Sequence, residues 1–557
     1  VVDNYSIDPW KSIDVMNLLE YLAIAAALLP VLYIWCKPLG VCAILLAFMV
    51  PGYIYVWAGL EIVTYLWSWA LPLAAGLIVL IPTYRWVYIR VSRCVNGWSK
   101  LTMEVEDSRG HVHYIKRIDD QTYINGGSGS GKTESCNMAF VRHAVRFRMS
   151  MLLHDLKKYE LTQAVYPLFA EAGIPYHVFA LFDYERCVRI NPIDPMYIED
   201  EQSLKSRIDS FLIAAQGGDA RDSTSTGGFF KNTAASLLES ITWYLKLYKP
   251  ECCHLPFLMS IINDPDNLHL KEGKKVIPFG RLKKMLGRDP QVSSMASVFF
   301  QGADNPETTS NILQTVILAL NTINTDAGFF LLSGNDIDLR INRPGNCEAL
   351  ALVNEPKNSS SNAPILAMIA DAGLLMMGDQ DNDYAVALLD EAAELPSPRV
   401  QNYMAYLRSL HVCVVYTTQD LSQIQRTQGG KEFNQRTVLS NLAHQFFGRT
   451  RTEQTAKYYE GLMPRIVKTE KSYSSSSNGT TVTSRGVKQP RYIASDFYLL
   501  KKGEFVYFYG DVKRFRFKHI SGKKELPPKI RSMDRAALHE IAVRIRREAN
   551  EFMQSFN

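Results

Sequence analysis

The chain has 557 residues, 47% of them hydrophobic, and a formal net charge of +5. That length calls for two or more domains, and the apolar fraction is ample for a large core. So small a charge neither demands nor excludes an anionic partner, so any nucleic-acid argument must rest on local patches. The nine cysteines are scattered, odd in number and without a Cys-x-x-Cys pair. They fit a reduced cytosolic body better than a disulfide framework or a zinc site. The chain begins with Val1 rather than Met, so a native start further upstream is expected.

Three apolar segments come first, at roughly 18–36, 40–60 and 62–83. Each is close to the ~20 residues a helix needs to cross hydrocarbon. Together they are too long and too aromatic for one signal peptide. Trp10, Trp35, Trp57, Trp67, Trp69 and Trp86 fall at or near segment ends, as interfacial Trp should. Arg85, Arg90, Arg93 and Lys100 follow the third segment and place that end in the cytoplasm. Counting back gives an N-terminus outside. Pro51-Gly52 in the second segment marks a kinked span or a re-entrant hairpin, so two or three spans are expected.

Residues 100–116 alternate as a hairpin with Arg109-Gly110 at the turn. Next comes Gly126-Gly127-Ser128-Gly129-Ser130-Gly131-Lys132-Thr133, a full P-loop. The bare pattern arises by chance in about 1 chain in 50 of this length. It lies between an apolar run and a helix-forming run, 134–145, which argues against a flexible linker. The glycines let the backbone curl so that N–H groups meet phosphate oxygens. Lys132 brings a positive charge to the β- and γ-phosphates, and the Thr133 hydroxyl is placed for Mg²⁺. The helix that follows adds its positive dipole end. ATP and Mg²⁺ are the expected ligands.

The apolar run 149–154 ends in Asp155-Leu156-Lys157-Lys158-Tyr159-Glu160-Leu161. Open α/β sheets hold ligands at such strand ends. A helix at 162–172 and a strand at 176–179 follow, and the alternation predicts a parallel, doubly wound sheet. From about 198 to 305 the strand signal gives way to helical runs, which predicts an all-α insertion. The sheet resumes through a helix at 309–322.

The run 384–389 ends in Asp390-Glu391, the shape of a Walker B strand. Asp390 would hold Mg²⁺ through its water shell, and Glu391 would orient or deprotonate the attacking water. A strand at 412–417 ends in Thr418-Gln419-Asp420, where Gln419 reads either as a sensor of the γ-phosphate or as a plain polar end. Arg408 ends a helix at 401–410. It caps that helix or reaches a neighbouring subunit's nucleotide as an arginine finger. Residues 441–459 give a further strand and helix. Residues 472–484, rich in Ser, Thr, Asn and Gly, read as a mobile loop or linker. After a closing strand at 504–510, Lys513-Arg514-Phe515-Arg516-Phe517-Lys518-His519, with Lys523 and Lys524, reads equally as a nucleic-acid contact or a solvated edge strand. The tail, 533–556, is an amphipathic helix without an evident partner.

These residues resemble the TraG/TraD-type coupling proteins of conjugative type IV secretion systems, particularly the TraG-like branch. The resemblance runs from the membrane segments to about residue 520. It rests on the P-loop; Asp155-Leu156-Lys157 with Glu160-Leu161, similar to the family's Asp-Pro-Lys-Gly-Glu-Leu; Asn191-Pro192; Leu389-Asp390-Glu391-Ala392; Arg408; Gln419 with Gln423; and Phe446-Phe447-Gly448 with Thr455-Ala456. The chain departs from the family at Leu156, at Lys158-Tyr159, at Ala392-Ala393-Glu394 after Walker B, and in its third apolar segment.

The resemblance implies an α/β RecA-like P-loop NTPase domain with an inserted all-α domain, behind N-terminal transmembrane helices. The expected division is an anchor at 1–95, NTPase at 96–197, the all-α domain at 198–305, NTPase with Walker B at 306–527, and a helical tail at 528–557. It adds Asp155 and Lys157 to the nucleotide site. It also implies a homo-hexamer in the inner membrane of a bacterium, with the ATPase in the cytoplasm. That ring would deliver DNA, as a relaxase–DNA complex, to a type IV secretion channel. Alternatives are a coupling ATPase for protein effectors only, an FtsK/HerA-like DNA translocase of chromosome segregation or repair, and a scaffold with a vestigial P-loop. The last is disfavoured because Lys132, Thr133, Asp390 and Glu391 are all present.

Overall fold

The computed structural model describes residues 71–557 apart from 216–225, 273–274, 303–305, 397–399, 428–431, 477–478 and 521. The chain divides into two compact units, Val1–Gly97 and Trp98–Asn557. In the first, Leu71–Asn96 is one 26-residue helix. It continues well past the expected end of the third apolar segment at 83. No Pro or Gly interrupts 83–96, and Gly97, at φ 65°, stops the helix. The segments 18–36 and 40–60, with Pro51-Gly52, lie outside the described residues.

In the second unit, β1 (Thr102–Glu106) and β2 (Val112–Lys116) form the expected hairpin. β3 (Thr122–Asn125), β4 (Ser150–Asp155) and β5 (Tyr176–Phe179) follow, with the helix Glu160–Glu171 between the last two. The chain then leaves the sheet for a helical excursion that includes Glu201–Ala215, Thr226–Tyr248 and Leu255–Asn263. The excursion also holds a small hairpin, β6 (Leu270–Glu272) with β7 (Lys275–Ile277), which helical periodicity did not anticipate. Strands of three residues are too short to show alternation. At the neck, Arg189 Nη2 lies 2.8 Å from Asp336 Oδ1, and the Asn191 N–H donates to Asn335 Oδ1 at 2.7 Å.

β8 (Ala349–Val353), β9 (Ala385–Leu389), β10 (Val412–Thr418) and β11 (His444–Phe447) complete the parallel part. β12 (Arg465–Ser476) and β13 (Gly479–Pro490) pair only with each other. The expected loop at 472–484 is therefore corrected to the far half of a paired ribbon. Strands that are polar on both faces carry no period-2 signal. β14 (Glu504–Tyr509) and β15 (Asp511–Arg516) return antiparallel. The nine-stranded order is β15-β14-β11-β3-β10-β9-β4-β8-β5. β15 is thus an edge strand, which agrees with one of the two readings of its basic residues.

β4, β8, β9 and β10 are buried at every position. Such strands read as continuous apolar runs because both faces are covered. The helix Ser359–Met377 is likewise apolar almost all round. With its lead-in it is the one helix among the described residues long and apolar enough to cross a membrane, yet 83% of its apolar window is buried inside this unit. It packs between the sheet and Glu201–Ala215.

The C-terminal helix Arg535–Gln554 does have a partner. Its stripe of Leu538, Ala542, Ile545, Ala549 and Met553 is buried against Leu255–Asn263 and Asp326–Leu331. Phe552 reaches Phe257 with ring centroids 5.8 Å apart. The tail thus completes the helical excursion. Met553→Ala should therefore destabilise the fold by about 2–5 kcal/mol in urea titrations. An unchanged midpoint would make the helix a peripheral attachment.

Candidate active site

Three adjacent strands end at one place. β10 lies between β3, which leads into the P-loop, and β9, which leads into Asp390-Glu391. Beneath the loop, Asn125 Nδ2 donates to Tyr123 Oη at 2.6 Å and Thr418 Oγ1 at 2.9 Å, and Tyr459 donates to Asn125 Oδ1. This buried network fixes the strand end. The Gly127 N–H donates to the Arg449 carbonyl at 2.8 Å, and the Gly503 N–H donates to the Ser130 carbonyl at 2.7 Å. Gly131 has φ 91°, and a Cβ there would lie 2.8 Å from Gly503 N, so only glycine fits.

The helix after the loop opens with a wide π turn, Thr133–Asn137, before becoming α-helical at Met138–Arg146. The sequence predicts helix here but not the wide turn. Its effect is to bring Asn137 to Walker B, where Nδ2 donates to Asp390 Oδ1 at 3.0 Å. Thr417 Oγ1 donates to the same oxygen at 2.9 Å.

Glu391 adopts a left-handed backbone, φ 47°, which a non-glycine residue adopts only when its neighbours enforce it. Its N–H donates to Thr417 Oγ1 at 3.2 Å. The preceding carbonyl, of Asp390, lies 2.7 Å from His154 Nδ1. A carbonyl only accepts, so Nδ1 carries the proton. Burial pushes the pKa of His154 down and keeps its ring neutral. Gln419 Nε2 donates to Glu391 Oε1 at 2.8 Å.

Lys132 donates to the Gly126 carbonyl at 2.6 Å and lies 3.5 Å from Glu391 Oε1. Burial lowers its pKa, opposed by the carboxylates of Glu391 and Asp390. Burial, then the neighbouring Glu391, raises the Asp390 carboxyl to about 6. Ser130 Oγ, Asn137 Oδ1 and Glu391 Oε2 are buried without hydrogen-bond partners. Orphaned polar atoms around a P-loop fit phosphate oxygens and metal-bound water.

Residues 127–134, Lys157, Glu391 and Gln419 line one cavity of about 350 Å³. Gly126 underlies it, and Asp390 is buried behind Glu391. Asp155 does not line it. Its carboxylate accepts from the Lys157 N–H at 3.0 Å and from Thr162 N and Oγ1, both at 2.8 Å, so it shapes the turn that presents Lys157. Arg408 lies at the opposite, amino-terminal ends of the strands, with Nη2 2.7 Å from Asp120 Oδ1. Sequence reasoning missed His154, Asn137, Lys502, His519 and Lys524; the last three line the cavity. Only the basic run at 513–524 gave a signal, and nothing local tied it to the P-loop.

The family model described as "TraM recognition site of TraD and TraG" matches residues 385–495, from β9 through the ribbon. The TraG/TraD resemblance is borne out. Among solved structures, the chain is similar to the bacterial conjugative coupling protein TrwBdeltaN70 in its unbound form. That likeness has TM-score 0.58 and 14% identity, over 76% of this chain and 90% of that one. Plasmid coupling protein TrwB with ADP and Mg²⁺ matches at TM-score 0.53 and 13% identity, over 74% and 87%. The same protein with a non-hydrolysable ATP analogue matches at 0.54 and 12%, over 73% and 87%. No curated protein matches the chain. The likenesses show the fold: a mainly parallel sheet with a P-loop at its strand ends, carrying a helical domain.

Asp390 also makes the site costly to fold. Its carboxyl holds a proton to about pH 6 when folded but releases it near 3.8 when exposed. The folded state binds the extra proton between those values, so stability falls as pH rises through them. Asp390→Asn should therefore raise Tm by a few degrees at pH 8 without Mg²⁺, with the gain fading by pH 4. A gain independent of pH would remove the burial argument.

Proposed function

We propose that this chain is a membrane-anchored ATPase that couples ATP hydrolysis to delivering DNA, as a relaxase–DNA complex, to a type IV secretion channel. The observation that carries the enzymatic part is the convergence of Lys132, Glu391 and Gln419 on one cavity at a P-loop, with Asp390 buried directly behind Glu391. The TraG/TraD region at 385–495 and the fold shared with conjugative coupling proteins support the DNA-transfer part. The apolar segments before residue 84 support the membrane anchor, and the basic residues after them a cytoplasmic ATPase.

In this reading the P-loop amides and the Lys132 ammonium neutralise phosphate charge. Thr133 and Asp390 would hold Mg²⁺, which would supply positive charge against that developing on the phosphates. Glu391 is the base that takes the proton of the attacking water. Glu391 pairs with Lys132, and phosphate competes for that ammonium. Gln419 then keeps Glu391 oriented, and His154 and Thr417 fix the left-handed turn that presents it. Lys157 approaches the phosphates, aimed by Asp155.

Lys132→Ala should abolish ATP turnover. Glu391→Gln should keep nucleotide affinity, read with a fluorescent ATP analogue, while kcat falls by about 10²–10⁴-fold. Full turnover in either variant would sink the site assignment. Arg408 is proposed to act in trans within a homo-hexamer, despite its pairing with Asp120. Rings mixed from Arg408→Ala and Lys132→Ala subunits should then recover activity wherever an intact Arg408 meets an intact P-loop. No rescue at any ratio would leave Arg408 as the partner of Asp120 only.

A further inference from the structure

The ribbon β12–β13 is unlike the rest of the second unit. Its twelve register pairs run from Arg465↔Pro490 to Ser476↔Gly479, and it joins no other strand. At ~3.3 Å per residue it reaches about 40 Å. Two-stranded hairpins are marginal in water by themselves. This one leaves Val467 63%, Val482 50% and Ile466 37% exposed. Its charge is one-sided: Arg465, Lys468, Lys471, Arg485 and Lys488 against Glu470, in a chain with 61 basic and 56 acidic residues.

The register distributes that charge over both faces. Val467 faces Lys488 across the ribbon, and Glu470 faces Arg485. With alternation, Arg465 and Lys488 share one face, while Lys468 and Arg485 share the other. All four are exposed. None of them has an ion-pair partner among the described residues. A flat partner would call for one decorated face. Cations on both faces suit a groove with phosphates on each side. The major groove of B-DNA, about 12 Å wide, admits a two-stranded ribbon. A neighbouring subunit or a lipid surface would favour one uncharged apolar face, whereas Val467 and Val482 share their face with Arg465 and Lys488, and Ile466 shares the other with Lys468 and Arg485.

We propose that the ribbon β12–β13 is a DNA arm that enters the major groove of duplex DNA and contacts phosphates on both of its walls. This rests on the DNA reading above. The test compares the parent hexamer with R465A/K468A/R485A/K488A, using a 30-base-pair duplex over a salt series. Duplex affinity should fall at least tenfold, and the slope of log affinity against log salt should shrink by about 3–4. ATP turnover without DNA should be unchanged. V467R/V482R, which adds cations and removes none, should raise both affinity and slope. A parent that binds duplex while neither variant moves the slope overturns the arm alone. Loss of the hexamer at unchanged affinity per chain also overturns it and makes the ribbon a subunit interface. A parent that binds no DNA overturns the arm together with the DNA reading.

Discussion

Two carboxylates and one ammonium share a nearly dry space at the ends of three parallel strands. Asp390, Glu391 and Lys132 are all almost fully buried. Adjacent carboxylates there repel each other, and desolvation penalises each charge. The fold offsets this with donors: Asn137 and Thr417 on Asp390, Gln419 and Lys132 on Glu391. Even so, the Asp390 carboxyl is held at about 6. Apolar residues would be more stable at these positions. An arrangement so unfavourable in itself suits a site for phosphate and a divalent cation.

The rest of the unit serves that arrangement. The charges stay in place only if three strand ends keep their register, so the strands bearing them are central and parallel. β10 stands between the Walker A and Walker B strands, which are two strand spacings apart, and this leaves room for Gln419 between them. The left-handed turn at Glu391 has a donor or acceptor on each side, from His154 and Thr417. The P-loop is held from a distant part of the chain, where Gly503 fits only because Gly131 lacks a Cβ.

Much of this was legible in the sequence because it is local. The P-loop, the Asp390-Glu391 strand and the 412–417 strand each carry their signal within a dozen residues. What was not legible depends on long-range contact or lacks a period. Ala349–Val353 is an apolar run without a charged motif at its end, so nothing marked it as the strand between β4 and β5. The ribbon reads as low complexity because both its faces are polar. His154 looks like an ordinary core histidine until its ring is seen beside the Asp390 carbonyl. Lys502, His519 and Lys524 are far from the P-loop in sequence and enter the cavity only when the sheet closes.

The segment after β15 connects two regions that composition treats as separate. His519, Ile520 and Lys524 line the nucleotide cavity. The chain then runs past the helix Glu160–Glu171 and the loop after β5, where the Glu525 N–H donates to the Gln163 carbonyl and the Ile530 N–H to the Glu185 carbonyl. Arg531 reaches Asp336, the carboxylate already paired with Arg189 at the neck of the helical excursion. Three residues later the C-terminal helix begins, capped by Asp534, and packs onto that excursion. One continuous strap therefore touches the nucleotide cavity, the neck and the helical domain in turn. Composition could not show this, because the strap has no secondary structure of its own and its role lies in its attachments.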